Sequence, residues 1–485
     1  MADNDVVTLE DCKTIVNNYL NSENFDIKNV TVRPFFDHVN GFLGEHLLLQ
    51  IETNDQQLRF FLKRFPHEHV MQRDFLLSMN GWQREIYYFD EFLKNIANTL
   101  PNYQLDFVPQ FLLGKPNDIV VFEDLTLRGY GMSKMPSDNL LDDQHICLVL
   151  ASLAKLHAGS LAYEEYKSKE LGQCFRLFTG KEDLAKESLI RKEEGFLGYD
   201  FVKAAQKGLS ALINKVHESC EVSLEEVQEK YQILVENSLQ LMFPHNKFRC
   251  VLAHGDLWVK NVMYHYKHDS MVPTHAILVD FQLTRYNVPV HDVLLFISLT
   301  TNQEVRKNKF HFYLNYYYDH LKQELSNVNI DADEIQMSYD DFLRSVHFIM
   351  PEIKFQGPLQ RLQQCGNKDF YTKLLKDAEA FKQFIFGDKT PFALDLFETD
   401  DNFRSLLTEA VEELIEASLY PDVFREDCYR ILENEFGHAY DLEKFKVVKK
   451  DDLFELEMEV LVDEKKKIMK YLVKSEDFVR VVKKL

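Results

Sequence analysis

The spacing of apolar residues changes from a strand pattern to a helix pattern near residue 125, and this change restricts the chain to two unlike parts. Before it, "VTVRPFF", "FLGEHLLLQIE" and "LRFFLKRF" alternate as strands, and "TNDQQ" predicts a hairpin turn between the last two. The stretch from 71 to 100 has helical spacing interrupted at Asn80 and Gly81, and "FVPQFLLG" and "DIVVFEDL" predict two more strands around "KPN". The first part is therefore expected to be a small antiparallel sheet with one main helix.

The rest of the chain has mostly helical spacing. Helices are predicted at "DDQHICLVLASLAKLHAGS", "VRKNKFHFYLNYYYDHLKQEL" and "FRSLLTEAVEELIEASL". The chain has 485 residues, more than a usual domain of about 100–200 residues. We expect a bilobal α+β protein with an N-terminal nucleotide-binding lobe at 1–125, a catalytic and substrate-binding lobe at 126–440 and a C-terminal extension at 441–485. The Lys-rich end is interleaved with acids, which predicts a solvated helix face.

The amino-acid composition argues against some classes of binding partner. A formal net charge of −22 argues against nucleic acid or an anionic membrane, because phosphate surfaces attract clustered Lys and Arg. An acidic protein that binds a polyphosphate nucleotide must do so locally, through a metal and a few cations. The seven cysteines form no CxxC pair, which favours reduced thiols in the cytoplasm. The start is not typical of a signal peptide, and no apolar run of transmembrane length is expected.

The exception to the helical pattern is a strand pair with polar residues at its open end. "FRCVLA" predicts a strand leading into "HGDLWVKNVM", and "NVMYHY" and "THAILVD" predict a hairpin closed by "KHDSMVP". In that hairpin Asn261 and Asp280 meet, and Asp256 lies in the loop just before it. Two carboxylates and an amide oxygen in one small volume are costly unless a hard cation is present, and Mg²⁺ is the natural occupant.

This chemistry suggests a division of roles. Asn261 and Asp280 would ligate Mg²⁺, while Asp256 would accept the proton of an incoming hydroxyl that attacks the γ-phosphate of ATP. The alternative is a solvated loop followed by an ordinary hairpin. The order and spacing of the three residues, each in its strand context, favour the kinase-like site.

The first part offers a cation for the nucleotide. A phosphoryl donor needs a Lys near its α- and β-phosphates, usually fixed by a Glu on a helix. Lys63 in "LRFFLKRF" and Glu85 in "GWQREIYYF" are the predicted pair, with Arg64 and Glu91 as the alternatives if the register slips. Each residue alone is more often a strand-edge charge or a solvated helix position.

Two further stretches are candidates for nucleotide contact. The segment from 121 to 125 would connect the lobes, with backbone groups of Glu123 and Leu125 available to the adenine edge; the alternative is a plain buried strand leading into a turn. In "NGFLGEH", Gly41 and Gly44 would let the backbone approach the phosphates, although no GxGxxG is present.

At these residues the sequence resembles the ecdysteroid kinase-like family of insects, also called CHK kinase-like, a branch of the aminoglycoside and choline phosphotransferase superfamily. The matching stretches, between about 30 and 440, are "VFEDLTLRGY", "LASLAKLHAGS", "HGDLWVKNVM" and "LVDFQLTRYNVPVHDVLLFI". The resemblance implies a bilobal protein-kinase-like fold that transfers phosphate from ATP to a hydroxyl on a small molecule, with Mg²⁺ as cofactor. Some relatives phosphorylate ecdysteroid hormones.

The family's residue roles carry over by motif. The resemblance implies Asp256 as the base, Asn261 and Asp280 as the metal ligands, and Lys63 with Glu85 as the nucleotide pair. Asp292, in "VPVHDVLLF", matches the Asp that supports the catalytic loop from a helix start. His254 is expected to hold that loop, and His157 and the other scattered histidines to be core or surface residues.

The acceptor is expected to be a lipophilic alcohol, an ecdysteroid or a xenobiotic met in detoxification. The 38 Phe and 22 Tyr permit an apolar pocket among the C-terminal helices, including "FHFYLNYYYDHL". Trp258, beside the catalytic loop, is a candidate acceptor contact. Lys260 either pairs the transferring phosphate or points to solvent.

Two other functions compete with this one. A pseudokinase-like binding protein for a hydrophobic hormone or toxin would explain the weak glycine loop, but the intact Asp256, Asn261 and Asp280 oppose it. A protein kinase is disfavoured because the sequence lacks DFG, an APE-like segment and a long activation loop before Asp292. The sequence does not indicate the oligomeric state.

Overall fold

The computed structural model gives the protein an antiparallel sheet with helices, then a helical part, then a second sheet. It describes residues 6–35, 43–137, 139–181, 184, 186–193, 196–217, 222–267, 270–364, 366, 368–374 and 377–421, together with four strands between 441 and 484. The predicted α+β fold is confirmed. The three lobe boundaries stay a prediction.

The first sheet has five antiparallel strands in the order β1-β2-β3-β5-β4. Its strands are β1 Ile27–Pro34, β2 Glu45–Thr53, β3 Gln57–Arg64, β4 Phe111–Gly114 and β5 Ile119–Glu123. The predicted hairpin between β2 and β3 is confirmed. One face is covered by helix α1, Leu9–Leu20, which the sequence pattern did not predict and which begins at a capping box between Thr8 and Asp11. Buried Leu49, Phe60 and Ile15 share this core.

The main helical segment of the first part breaks where the sequence predicts. Helix α2, Val70–Met79, ends at Asn80, whose φ of 59° is left-handed. The chain resumes as α3, Gly81–Ile86, continues as a π-helical segment and ends as α4, Leu93–Thr99. Wide π-helical turns are common at functional sites, and this one places the Tyr88 ring on Phe281 with centroids 3.8 Å apart. The helix is thereby joined to the second part of the molecule.

The second part is a helical body that carries two small sheets. Its helices are α5 Asp143–Leu171, α6 Leu197–Val216, α7 Leu224–Leu241, α8 Val290–Thr300, α9 Gln303–Asn327, α10 Tyr339–Gln364, α11 Lys368–Leu374, α12 Ala378–Phe386, α13 Thr390–Thr399 and α14 Asp401–Leu419. The small sheets are formed by β6 Tyr130–Gly131, β7 Val251–Ala253, β8 Val262–Tyr266, β9 Pro273–Leu278 and β10 Arg285–Asn287. Strands β8 and β9 form the predicted hairpin, in which Val262 pairs with Leu278.

Helix α5 corrects one expectation. The helix has 29 residues and is long and apolar enough to cross a membrane, although the sequence analysis predicted no apolar run of that length. Most of its apolar stretch is buried inside the protein, which is equally typical of a core helix. Ile146, Val149 and Leu153, on the predicted apolar stripe, are fully buried.

The C-terminal segment is a sheet, and the predicted Lys-rich helix face is wrong. The strands are β11 Asp441–Lys450, β12 Leu453–Val462, β13 Lys465–Lys474 and β14 Val482–Lys484, paired in that order. The register aligns Glu457 with Lys446 on one side and Lys470 on the other. A sequence of alternating acids and bases suits a strand as well as a solvated helix face, so the pattern alone did not separate the two.

Candidate active site

Lys63 lies at the centre of the site and has two acidic partners. Its Nζ is 3.0 Å from Glu85 Oε2 and 3.1 Å from Asp280 Oδ1, and its side chain is only 4% exposed. Strand β3 supplies the lysine, α3 the glutamate and the end of β9 the aspartate. Burial alone would lower the pKa of Lys63, but the two carboxylates raise it above its ordinary value, so the lysine is charged.

Asp280 follows β9 in an unusual backbone conformation. Its φ of 67° lies in the left-handed region, which a non-glycine residue rarely adopts. The next backbone N–H, of Phe281, donates to Glu85 Oε1 at 3.2 Å, so Glu85 holds both Lys63 and this turn. Burial would raise the pKa of Asp280, but the neighbouring Lys63 ammonium holds it below its usual range. The strained turn thus presents a carboxylate to the cleft.

The loop from His254 to Asn261 is anchored by hydrogen bonds. His254 Nε2 donates to the Val279 carbonyl at 3.0 Å, and its Nδ1 accepts the Asp256 N–H at 3.3 Å. Burial lowers the pKa of His254, which favours the neutral ring that this pattern requires. Gly255 has φ of 81°, and a Cβ there would lie 2.1 Å from the Leu283 carbonyl oxygen. Only glycine fits this position.

Asp292 supports the same loop from the first turn of α8. Its Oδ2 accepts the His254 N–H at 2.6 Å and its Oδ1 accepts the Gly255 N–H at 2.9 Å. His157 Nε2 also contacts Oδ2, at 3.2 Å. Burial would raise the pKa of Asp292, but the contacts with His157 and His291 hold it well below its usual range. His157 is therefore a buried core residue, as the sequence suggested, and in addition a partner of Asp292.

Asp256 is held by two amides. Asn261 Nδ2 donates to the Asp256 carbonyl at 2.7 Å and to its Oδ2 at 3.2 Å. Gln360 Nε2, from α10, donates to Oδ1 at 3.2 Å. Burial, and next the negative charge of Asp280, raise the pKa of Asp256 to about 7. Sequence reasoning missed Gln360, because nothing in the pattern of a helix 104 residues away signals this contact.

The remaining oxygens of Asn261 and Asp280 suit a hard cation. The amide nitrogen of Asn261 is used by Asp256, which leaves Oδ1, and Lys63 uses Oδ1 of Asp280, which leaves Oδ2. One carboxylate oxygen, one amide oxygen and substrate phosphates form the donor set that Mg²⁺ prefers. Within the described residues, no three His, Cys, Asp or Glu side chains form an all-protein metal cluster.

Lys63, Glu85, Asp256, Asn261 and Asp280 border one cavity of about 430 Å³, whereas His254 and Asp292 support the loop from behind it. At one end lie Phe61, Phe122, Glu123 and Leu125, the predicted adenine side. The sequence predicted that backbone groups of Glu123 and Leu125 would be available to the adenine edge. The Glu123 N–H is not, because it donates to the Gln110 carbonyl at 3.0 Å. Gly44 has φ of 98° just before β2, and Gly41 lies outside the described residues.

The other end of the cavity is mainly apolar, although α10 also contributes the amides of Gln356, Gln360, Gln363 and Gln364. It is formed by α2, α6, α10 and α12, with side chains that include Met71, Phe75, Phe201, Phe355, Phe381 and Phe386. The segment "FHFYLNYYYDHL" does not border it, because its helix α9 packs on α5, and that expectation is wrong. Trp258 and Lys260 both border the cavity; Lys260 is exposed, and its Nζ lies 5.5 Å from the centre of the Trp258 ring.

The sequence profile of the ecdysteroid kinase-like family matches residues 45–330, more than half of the chain. A search of curated protein sequences gives no match.

Solved structures give distant similarities only. A spectinomycin phosphotransferase in complex with ADP and spectinomycin is 14% identical, with 76% of this chain and 93% of that chain covered and a TM-score of 0.31. A macrolide 2′-phosphotransferase from Brachybacterium faecium is 10% identical over 77% of this chain and 96% of its own, with a TM-score of 0.31. The GDP complex of a mutant aminoglycoside 2′-phosphotransferase is 13% identical over 81% and 97%, also with a TM-score of 0.31.

Proposed function

This chain belongs to the ecdysteroid kinase-like family, and from that premise we propose that it is an ATP- and Mg²⁺-dependent kinase that phosphorylates a hydroxyl group of a lipophilic small molecule. The observation that carries the proposal is that Lys63 contacts both Glu85 and Asp280, while Asp256 and Asn261 border the same cavity. One cavity therefore holds a cation for the phosphates, two candidate metal ligands and a candidate base for the acceptor.

The roles follow from the free atoms of each side chain. Lys63 would bind the α- and β-phosphates, with Glu85 fixing its position. Asn261 and Asp280 would hold Mg²⁺ through their free oxygens, and the bound ion would supply positive charge against the phosphates. Glu85 and Asp292 touch no reacting atom; they hold Lys63 and the catalytic loop in place.

Asp256 is the candidate general base. A base works best when its pKa lies near the working pH, and burial and Asp280 raise the pKa of Asp256 to about 7. The two amides that hold its carboxylate would aim it at the acceptor hydroxyl. As that oxygen attacks the γ-phosphate, its proton would pass to Asp256.

The apolar end of the cavity supports a lipophilic acceptor. The aromatic and methionine side chains of this end offer few hydrogen bonds to the many polar groups of a sugar or an amino alcohol. They stabilise a bound molecule by removing its apolar surface from water. An ecdysteroid or a xenobiotic in a detoxification reaction has the required chemistry. The four cysteines that the structure describes as free agree with a cytoplasmic location.

Transfer of label from γ-labelled ATP to a panel of lipophilic alcohols tests the proposal. Asp256→Asn should lower kcat by about 10²–10⁴-fold, since it removes the base. Thermal stabilisation by ATP and Mg²⁺ should remain in this variant, because nucleotide binding does not need the base. Transfer that is unaffected by Asp256→Asn would contradict the assignment.

A binding protein without transfer is the second candidate. The apolar wall would suit capture of a hydrophobic hormone or toxin equally well, with no nucleotide involved. The two functions differ in the response to nucleotide. A kinase gains stability by mass action when ATP and Mg²⁺ are added, whereas a binding protein that has lost the nucleotide site shows no change.

A further inference from the structure

Gln360 occupies an unusual place in the cavity wall. It is 6% exposed, borders the cavity and donates from Nε2 to Oδ1 of Asp256. Its other amide atom, Oε1, is buried and has no hydrogen-bond partner among the described residues. An unpaired buried carbonyl costs free energy, roughly 1–3 kcal/mol, and this one faces a cavity in which a bound molecule can supply the missing donor.

The orientation of the Gln360 amide follows from its neighbour. To act as a general base Asp256 must be deprotonated, and a carboxylate only accepts hydrogen bonds. The amide must therefore turn its nitrogen to Asp256 and its oxygen the other way. This assignment does not depend on telling the two atoms apart by their positions.

In two neighbouring glutamines on α10 the amide oxygen, and not the nitrogen, has a protein partner. Gln356 presents its Oε1 to His291 Nε2 at 3.1 Å, and Gln363 presents its Oε1 to Lys389 Nζ at 2.6 Å. Positions 356, 360 and 363 lie on one helix face, and all three side chains border the cavity. Of these three, Gln360 is the one whose carbonyl oxygen remains for a ligand.

Building on the proposed kinase function, we propose that Gln360 selects acceptors with a second hydroxyl beside the reacting one. The reacting hydroxyl has a single proton, which it must donate to Asp256. The Gln360 Oε1 therefore needs a different donor, and a diol supplies it from the adjacent carbon. One amide would hold the base by its nitrogen and the acceptor by its oxygen, so that it positions both partners of the proton transfer.

The test uses matched alcohols and labelled ATP. The pairs are 1,2-dodecanediol with 1-dodecanol, and 1,2-cyclododecanediol with cyclododecanol. For the unaltered protein, kcat/KM should be at least about tenfold higher for each diol, since a site built for a hydroxyl rejects the analogue that lacks it. Equal values within both pairs, with transfer still observed, would overturn the inference and leave the proposed function standing.

Three variants distinguish the effects of the amide nitrogen and the amide oxygen of Gln360 from a purely structural effect of its side chain. Gln360→Met keeps the length of the side chain and removes both atoms, so kcat should fall about tenfold and the preference for the diol should disappear. Gln360→Glu keeps an accepting oxygen but puts a second carboxyl beside Asp256, and the proton that the two carboxyls share occupies the base, so kcat should fall while the preference remains. Gln364→Met, on the same wall without a contact to Asp256, should change transfer to diol and mono-alcohol by the same factor.

Two results decide against the inference. A diol preference that survives Gln360→Met would overturn it, because another group would then recognise the second hydroxyl. Absence of transfer to all four alcohols together with absence of ATP hydrolysis would overturn the proposed function and this inference with it. Should Gln360→Met fail to fold, Gln360→Asn serves instead, because shortening the side chain by one methylene moves Oε1 away and should also abolish the preference.

Discussion

At the scale of residues, the strongest constraint on the site is that Lys63 and Glu85 are both almost fully buried. Their side chains are 4% and 1% exposed, so neither charge can be solvated if the other is removed. Such a pair adds little compared with apolar residues, but loss of Lys63 leaves the Glu85 carboxylate uncompensated in the core, whereas loss of Glu85 leaves Lys63 with Asp280 as its one acidic partner. The pair therefore behaves as one unit.

Lys63→Met should destabilise the protein by about 3–5 kcal/mol, and the double variant Lys63→Met/Glu85→Leu by less than the sum of the two single changes. Free energies of unfolding in urea measure both quantities. Lys94→Met is a matched control, because Lys94 and its partner Asp90 are 64% and 50% exposed, and it should cost less than about 0.5 kcal/mol. Additive effects of the Lys63 and Glu85 changes would contradict the coupling.

A second prediction at this scale concerns His291. Burial would lower its pKa, but Glu352 and Asp292 raise the pKa to about 9 against the opposing charge of Arg285. A raised pKa gives stability that is complete below the unfolded value of about 6.5 and is lost as the pH rises through about 9. The contribution is up to about 3 kcal/mol.

Unfolding free energies at pH 7 and pH 10 should therefore differ more in the unaltered protein than in His291→Gln. The comparison cancels the lysines, tyrosines and cysteines that both proteins share. The same loss between pH 7 and pH 10 in both would show that His291 is not charged in the folded state.

At the scale of elements, the loop between β7 and β8 depends on one glycine. Gly255 combines a positive φ with a Cβ position 2.1 Å from the Leu283 carbonyl oxygen, whereas Gly172, at the end of α5, has φ of 64° and nothing within 4 Å. Gly172→Ala should therefore cost only the backbone term, about 1–2 kcal/mol. Gly255→Ala must also displace a backbone carbonyl, so it should cost clearly more and abolish transfer.

Chemical denaturation and the transfer assay check these two changes side by side. Equal destabilisation by the two alanines would mean that the loop around Gly255 can yield without disturbing Asp256. That outcome would conflict with the packing, because the Leu283 carbonyl leaves no room for a Cβ at Gly255 and Asp292 holds the Gly255 N–H in place.

Sequence patterns predicted the elements whose causes are local. The hairpin between β2 and β3 and the break at Asn80 depend on residues within a few positions of each other, so alternation and turn residues were sufficient. The C-terminal sheet was missed because "KKKIMKYLVK" has a charge pattern that suits either a helix face or a strand. Helix α1 was missed because its few apolar residues are buried only by contact with the sheet.

The site was predictable where a local motif, or the expected pairing of a strand Lys with a helix Glu, places its residues. Asp256, Asn261 and Asp280 lie on one predicted hairpin and its loop, and their placement follows from strand order. The apolar end of the cavity is assembled from four helices far apart in sequence, and no local pattern distinguishes a wall residue such as Phe201 from a core residue. The contact of Gln360 with Asp256 could not be foreseen for the same reason.

At the scale of the whole molecule, the strands between 441 and 484 form a sheet of their own. Among the strands that the structure describes, they pair with each other in the order β11-β12-β13-β14 and with none of the rest. Deletion of 441–485 should therefore keep transfer activity within about twofold, since the hydrogen bonds that are lost join none of the other sheets. Melting temperature and transfer rate of the shortened protein measure this, and loss of activity would show that the extension contributes to the site.

The ion pairs of Lys63 also have a consequence for how the proposed nucleotide would bind. One ammonium ties a strand of the first sheet to a turn 217 residues later, so the cleft is already bridged when it is empty. Arrival of a polyphosphate is then an exchange of partners, in which phosphate oxygens compete with Asp280 for the same cation. While the Lys63 ammonium neutralises the field of the Asp280 carboxylate, that carboxylate attracts a free divalent ion less strongly, so capture of the ion before the nucleotide is unfavourable and assembly has an order.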